Sequence, residues 1–345
     1  LMRSMNAKYS GLKFSSVGSG PRAGQIINLG IDSSVSTAAV TDSTEAGKVD
    51  LQAHNAMQGF NEKLTSPRVS NLTLTAGSVD TNLTATSLPA KELQGVVRFF
   101  IEHIKAKELS EAGKAKFAEL VHRALPAFGS LGETVTLNDL VVSTEKGKFG
   151  AKMLDYSLKM DGLTKSSNVN FGLRAEHLTE DAGIVPAAYA SFLPESLDIQ
   201  VGIPDINFED LIDTGLKVVS EGDTPMSRET LTRSVFPSGY GTVEFPRISA
   251  TSGVYDVEAS GELKGSLQNH KSYSLQATIL ARNFDATVAA VQEAAKTNPR
   301  LNSVSFSLMA AKGFAKTDPD GRLRWDVAMD ENHTVTVNGQ IIKKP

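Results

Sequence analysis

The stretch of sequence that decides the fold runs from Ser272 to Ile342 and reads SYSLQATILARNFDATVAAVQEAAKTNPRLNSVSFSLMAAKGFAKTDPDGRLRWDVAMDENHTVTVNGQII. In residues 273–280, apolar and polar side chains alternate, a pattern that predicts a β-strand with one buried face. Asn283 follows as a helix cap, and apolar residues at helical spacing continue towards Pro299. Because proline cannot continue a helix, the helix is predicted to end there.

The remainder of this stretch predicts a hairpin of strands. Residues 304–310 and 323–329 alternate again, and the sequence Asp318-Pro319-Asp320-Gly321 between them is typical of a turn. A last strand is predicted over residues 335–337. The order of elements is therefore a strand, a short helix and a strand hairpin.

The same order is predicted upstream, at irregular spacing. A strand over 197–203 leads into a helix that opens at Asn207. The longest helical block, 90–125, is predicted as two helices, the second of which is capped by Ser110. Residues 221–246 contain three prolines and are predicted to form a long loop.

Strands joined by tight hairpins must be antiparallel, and clean alternation means that one sheet face is packed and the other is wet. The predicted fold class is therefore α+β: a long, curved, mostly antiparallel sheet with short helices packed on one face, built from irregular strand–helix–hairpin repeats. Two parts are predicted. Residues 1–190 form a β-rich half with the helical block 90–125, and residues 191–345 form a half with two strand–helix–hairpin units.

Composition excludes several classes of function. The 345-residue chain has a formal net charge of −4 and 6% aromatic residues, so it offers neither the basic surface nor the stacking platform of a nucleic-acid-binding protein. It contains no cysteine, which excludes disulfides, thiol catalysis and cysteine-ligated zinc. The chain begins with Leu1 and not with an initiator methionine, which leaves room for a removed signal or membrane anchor.

No motif predicts catalysis, a cofactor or a metal. The glycines between Gly18 and Gly24 precede a strand and not a helix, so they lack the helix N-terminus that receives a phosphate. The Gly-x-Ser-x-Gly nucleophile pattern is absent. The acidic groups at 209–213 and at 318–320 are interpreted as a helix start and a turn. The histidines lack metal-ligand spacing: His54, His103, His122, His177, His270 and His333.

Two segments carry a resemblance to a known group of proteins. They are LPAFGSLGETVTLNDLVVSTEKGKFGAKMLDYSLKMDGL (residues 125–163) and the C-terminal run NFDATVAAVQEA, VSFSLMAAKGFAKTDPDGRLRWDVAM and TVTVNGQII (within 283–342). In pattern they resemble YdgA-like and, distantly, AsmA-like uncharacterised bacterial cell-envelope proteins. The resemblance implies a protein exported to the periplasm or cell envelope, often tethered through an N-terminal segment. It implies no catalytic residues.

The leading functional hypothesis is a non-enzymatic envelope protein that binds a lipid or another hydrophobic small molecule between sheet and helices. Helices of about four turns span only ~20 Å and would leave part of a long apolar sheet face uncovered. The predicted ligand-lining residues are Leu154, Tyr156, Leu158, Phe171, Leu275, Ile279, Trp325 and Val327. The alternatives are an adaptor that docks an envelope protein through a sheet edge or the 221–246 segment, and a hydrolase whose site is assembled from distant residues.

Overall fold

A computed structural model describes residues 3–20, 23–66, 71–106, 108–181, 185–221, 227–269 and 271–344. These residues form one antiparallel sheet in which fourteen strands follow one another in chain order and a fifteenth, β12, pairs beside β13. The strands are β1 (Ser4–Val17), β2 (Ile26–Asp42), β3 (Val49–Thr65), β4 (Leu72–Leu88), β5 (Ser130–Thr144), β6 (Gly147–Asp161), β7 (Ser167–Glu180), β8 (Ser196–Ile206), β9 (Tyr240–Thr251), β10 (Asp256–Ser266), β11 (Tyr273–Arg282), β12 (Lys316–Thr317), β13 (Leu323–Met329), β14 (Val335–Val337) and β15 (Gln340–Lys343).

The described helices occupy four of the connections between strands. They are α1 (Ala90–His103), α2 (Glu111–Ala124), α3 (Ala187–Ala190), α4 (Phe208–Glu221), α5 (Arg228–Val235), α6 (Phe284–Thr297) and α7 (Leu301–Lys312). Because the strands alternate in direction, α1, α2, α4 and α5 leave from one end of the sheet, and α3, α6 and α7 leave from the other. The prediction of a mostly antiparallel α+β fold is confirmed, and the sheet is open.

The predicted helical block 90–125 is confirmed as α1 and α2. Ser110 caps α2 as expected, because its hydroxyl accepts a hydrogen bond from the Gly113 amide at 3.2 Å. The Asn207 side chain likewise accepts from the Asp210 amide at 2.9 Å at the start of α4. Asn283 precedes α6 as predicted, but it adopts a left-handed conformation and makes no side-chain cap.

The prediction of a strand over residues 304–310 is wrong, because this segment lies in α7. The alternation of Val304, Phe306 and Leu308 with serines suits a strand, but α7 buries Ser305 and leaves Phe306 70% exposed. The inward positions of α7 are Leu301, Ser305, Leu308 and Ala311, at spacings of three and four. Since α6 presents the buried Val291 and Ala295, small side chains on both helices suit a closely packed helical hairpin.

The prediction of a loop over 221–246 is wrong for its described part. This part contains α5, capped by Ser227, and the first half of β9. Pro246 is tolerated within β9 because it lies at a β-bulge, where the pairing of β9 with both neighbours skips and no ladder donor is lost. Residues 222–226 lie outside the described part of the chain.

A line of residues, here called the crease, crosses β1 to β7 where regular pairing is interrupted. The register on either side aligns Gly11, Asp32, Gly59, Gly77, Asp139, Lys152 and His177. Alternate strands carry a left-handed residue at the crease, with φ of 62° at Gly11, 64° at Gly59, 52° at Asp139 and 50° at His177. Polar contacts accompany it, since the Lys152 ammonium lies 2.5 Å from the Asp139 carboxylate.

The buried face of the sheet changes sides at the crease. In β4, Ala76 and Val79 are both buried, although residues three apart in a strand point to opposite faces. The same offset separates Ala151 from Leu154 in β6. The predicted boundary between the two halves, at residue 190, falls between β7 and β8, which pair directly in the continuous sheet.

Candidate functional site: the apolar face of the sheet

The candidate site is the sheet face that carries Val79 and Leu154, here called the apolar face. Directly paired residues of antiparallel strands share a face, so the register defines it. Its first cross-strand row comprises Val79, Leu137, Leu154, Ala175, Leu197, Ala250, Val257, Ala281 and Leu323. At a strand spacing of about 4.8 Å, this row alone spans roughly 38 Å.

Two further rows lie parallel to the first, one and two pleats along the strands. The second row comprises Val135, Tyr156, Leu173, Ile199, Ile248, Ala259, Ile279 and Trp325. The third comprises Glu133, Leu158, Phe171, Val201, Phe245, Gly261, Ala277, Val327 and Val337. Among the residues of these three rows, Glu133 is the one charged side chain.

All eight predicted lining residues lie on this face, in two groups. Leu154, Tyr156, Leu158 and Phe171 form one group on β6 and β7, where Leu158 faces Phe171 across the strand pair. Leu275, Ile279, Trp325 and Val327 form the other on β11 and β13, where Ile279 faces Trp325. Four strand spacings, about 19 Å, separate β7 from β11, so the two groups belong to one surface but do not touch.

The β11–β14 end of the apolar face is sealed by α6 and α7. The Phe284 ring of α6 lies 5.2 Å from the Trp325 ring, centroid to centroid. The Trp325 indole N–H donates a 2.7 Å hydrogen bond to the Ala311 carbonyl of α7. Trp325, Ala281 and Val337 are buried together here. This end is an ordinary core.

The middle of the apolar face is open. Its half-exposed side chains are Phe171 and Leu173 on β7, Val243 and Ile248 on β9, and Leu263 on β10, each 37–40% exposed. These five residues are here called the open segment. Four of them are absent from the predicted lining set, although each alternates in its strand, because the strand register that brings them beside Phe171 is not readable from one sequence.

A bulge shapes the sheet next to the open segment. The register of β9 against β10 shifts between Ala259 and Gly261. A Cβ at Gly261 would stand 2.8 Å from the Phe245 ring and 2.1 Å from the Gln276 carbonyl oxygen. Glycine is required here because the backbone of β11 at Gln276 and the Phe245 ring occupy the space that a side chain would need.

The molecule exposes far more surface than a compact chain of its size. Its accessible surface is 20894 Å² at a mass of 36.8 kDa. A compact monomer of that mass is expected to expose about 13,600 Å². The difference follows from a wide open sheet with too few helices to cover it.

The opposite face is polar. It holds a groove of about 630 Å³ whose lining includes Thr134, Asp155, Arg174, Asp198 and Gln200. Ion pairs line the same face, for example Arg247 with Asp198 at 3.6 Å. This charged, solvated face contrasts with the three apolar rows on the other side.

The described histidines each have a different neighbour. His54 lies 3.7 Å from Asp80, His122 lies 3.5 Å from Asp213, and the ring nitrogens of His103 and His333 contact backbone carbonyls. His177 lies in the crease, and His270 is outside the described residues. No group of three or more metal-ligating side chains occurs in the described part of the chain.

Comparison with protein-family models, with curated proteins and with solved structures finds no match to this chain.

None of the described helices has the length and apolar character needed to span a bilayer.

Proposed function

We propose that this protein is a non-enzymatic, lipid-binding protein of the bacterial periplasm or cell envelope. The ligand lies along the open segment, between the sheet and the helices that flank it. The observation that carries this proposal is the half-exposure of five apolar side chains in the middle of an otherwise continuous apolar face.

The shape and chemistry of this surface suit a hydrocarbon chain. From β6 to β10, the part that α6 and α7 do not seal, it spans four strand spacings or about 19 Å, which is close to the ~20 Å of an extended sixteen-carbon chain. Each methylene removed from water contributes about 0.8 kcal/mol, so apolar contact alone is enough for binding. A charged head group would lie beyond the three rows, since their one charged residue is Glu133, opposite Leu158.

The proposal replaces part of the predicted lining. Phe171 belongs to the open segment, Leu154, Tyr156 and Leu158 adjoin it on β6, and Leu275 faces Leu263 across β10 and β11. Trp325 instead packs against Phe284 of α6, and Ile279 and Val327 pack in the same cluster, so we assign all three to the wall that closes one end of the binding surface.

The first experiment is lipid extraction from the purified chain followed by mass spectrometry. We expect co-purified acyl lipids and saturable binding of a fluorescent fatty acid. Phe171→Glu places a charge on the apolar face and is expected to weaken binding at least tenfold, because the bound hydrocarbon chain would cover the carboxylate and separate it from water. The matched control, Asn170→Glu, changes the adjacent exposed residue of β7 and should leave affinity unchanged.

Clean extracts together with no saturable fatty-acid binding would contradict the proposal. Equal loss of binding in both β7 variants would also contradict it, since the effect would then not depend on the apolar face. Cell fractionation of the native host tests the envelope location, which is supported by the resemblance of residues 125–163 and 283–342 alone.

A second candidate function is an adaptor that binds a partner by strand addition. The observation that favours it is β1, a fourteen-residue edge strand with exposed Met5, Tyr9, Phe14 and Val17. An unpaired edge of this length can accept an extended partner strand. A partner that co-purifies with the wild type and is lost from Tyr9→Lys/Phe14→Lys would support this function; retention of the partner would contradict it.

A further inference from the structure

Helix α1 carries an apolar stripe that points away from the molecule. Val97, Phe100, Ile101 and Ile104 recur at spacings of three, one and three, so they share one side of the helix and of the turn that follows it. They are 56%, 58%, 66% and 79% exposed. Such exposure is unusual for four neighbouring large side chains and marks an interaction surface.

The buried side of α1 is already occupied. Phe99 is only 6% exposed and stacks with Phe117 of α2 at 5.6 Å between ring centroids. Phe100 also touches the edge of the Phe117 ring at 5.3 Å, so the stripe meets α2 at this one residue, and Val97, Ile101 and Ile104 form its more freely exposed part. Another surface must cover it if it is to leave water.

A row of basic residues runs along one flank of the stripe. Lys91 and Arg98 lie seven residues apart in α1 and so share one side of it, Lys105 follows in the turn after the helix, and all three are exposed. None forms an ion pair within the described residues. Glu102 stands beside this row and offsets part of its charge.

We propose that α1 docks the protein onto the surface of a lipid bilayer. The apolar stripe enters the boundary between head groups and acyl chains, and the basic flank lies at the level of the lipid phosphates. A bilayer suits this surface because the stripe is narrow and flanked by cations. This inference goes beyond ligand binding on the sheet, and either can fail without the other.

The test uses the whole chain and vesicles of phosphatidylcholine with one quarter phosphatidylglycerol. The wild type is expected to sediment with the vesicles, and Ile101→Glu/Ile104→Glu is expected to reduce the bound fraction at least tenfold. Because both isoleucines are mostly exposed, the variant should unfold at the wild-type temperature. Phe306→Glu, at a 70% exposed position on α7, is the matched control and should bind like the wild type.

The absence of cysteine allows a second, direct readout. Ile104→Cys labelled with an environment-sensitive fluorophore should shift to the blue on vesicle addition, whereas Lys91→Cys with the same label should shift less. Equal shifts, or equal loss of sedimentation in the α1 and α7 variants, would overturn the proposal. A dimer of the wild type that becomes a monomer in Ile101→Glu/Ile104→Glu would also overturn it, since the stripe would then bind a second copy.

Discussion

Gly11 and Gly59 share a backbone conformation but not an environment. Both are left-handed, with φ of 62° and 64°, and both lie in the crease. A Cβ would meet nothing within 4 Å at Gly11, whereas at Gly59 it would stand 2.0 Å from a carboxylate oxygen of Asp32. Gly11 is therefore needed only for its left-handed backbone conformation, whereas Gly59 is needed both for that conformation and because a side chain would collide with Asp32.

This difference yields a paired prediction. Gly11→Ala should lower the free energy of unfolding by about 1–2 kcal/mol, the cost of a left-handed L-residue. Gly59→Ala should cost about 1–3 kcal/mol more, because Asp32 must also move. Urea unfolding followed by circular dichroism measures both. Equal losses would show that Asp32 moves away without cost.

Trp325 anchors the sealed end of the apolar face. Trp325→Phe removes the hydrogen bond to the Ala311 carbonyl and part of the volume beside Phe284. Because that carbonyl also accepts from the Phe314 amide, it is not left without a partner. We expect a loss of about 1–3 kcal/mol in the free energy of unfolding, measured by circular dichroism. A loss below 0.5 kcal/mol would contradict the packing described for α6 and α7.

The ion pair of Asp326 is expected to make the stability of the protein depend on pH in the acidic range. The Arg324 guanidinium, hydrogen-bonded to the Asp326 carboxylate at 2.8 Å, lowers the pKa of Asp326, and the Thr278 hydroxyl lowers it further. A lowered folded-state pKa gives stability that is present above about pH 4 and is lost as the pH falls through the folded value. Asp326→Asn should therefore destabilise slightly at pH 7 and reduce the dependence of stability on pH below 4. Unchanged dependence would contradict this role; because the pair is exposed, the effect should be small.

At the level of elements, α7 separates two interpretations of one sequence pattern. If residues 304–310 formed a strand, Phe306 would point inward and Ser305 outward. In the helix the reverse holds, with Ser305 at 5% and Phe306 at 70% exposure. Phe306→Ser should change the free energy of unfolding by less than about 0.5 kcal/mol, whereas Ser305→Leu should cost about 1–3 kcal/mol through overpacking against α6. A large effect of Phe306→Ser would favour the strand.

The same segment shows why sequence reasoning succeeded at some elements and failed at others. Hairpin strands and the α1–α2 block were predictable because periodicity and caps act within a few residues, as Ser110 and Asn207 do. Helix α7 was not predictable, because a serine, Ser305, occupies a buried position on its inward face, where sequence patterns lead one to expect an apolar residue. The open segment was not predictable either. Leu173 and Ile248 lie in one cross-strand row because each pairs with Ile199, and that row is known only when the register of β7, β8 and β9 is known.

At the level of the whole molecule, the uncovered surface of the sheet reduces the area that the protein buries on folding. An unfolded chain of this mass exposes about 53,400 Å², so folding into a compact monomer would bury about 39,800 Å². This chain keeps 20894 Å² exposed and buries about 32,500 Å² on the same basis. Since the slope of unfolding free energy against urea scales with buried surface, it should be about four-fifths of the compact value.

That slope can be measured with two probes. One is the fluorescence of Trp325, which is buried at the sealed end, and the other is circular dichroism, which reports on the whole sheet. X-ray scattering gives an independent check, because a compact chain of 345 residues has a radius of gyration of about 20 Å and the open sheet should exceed it. A compact radius together with a full slope would mean that the open segment is covered in solution by the protein itself. In that case the apolar face is a closed core, and it cannot take a lipid without first opening.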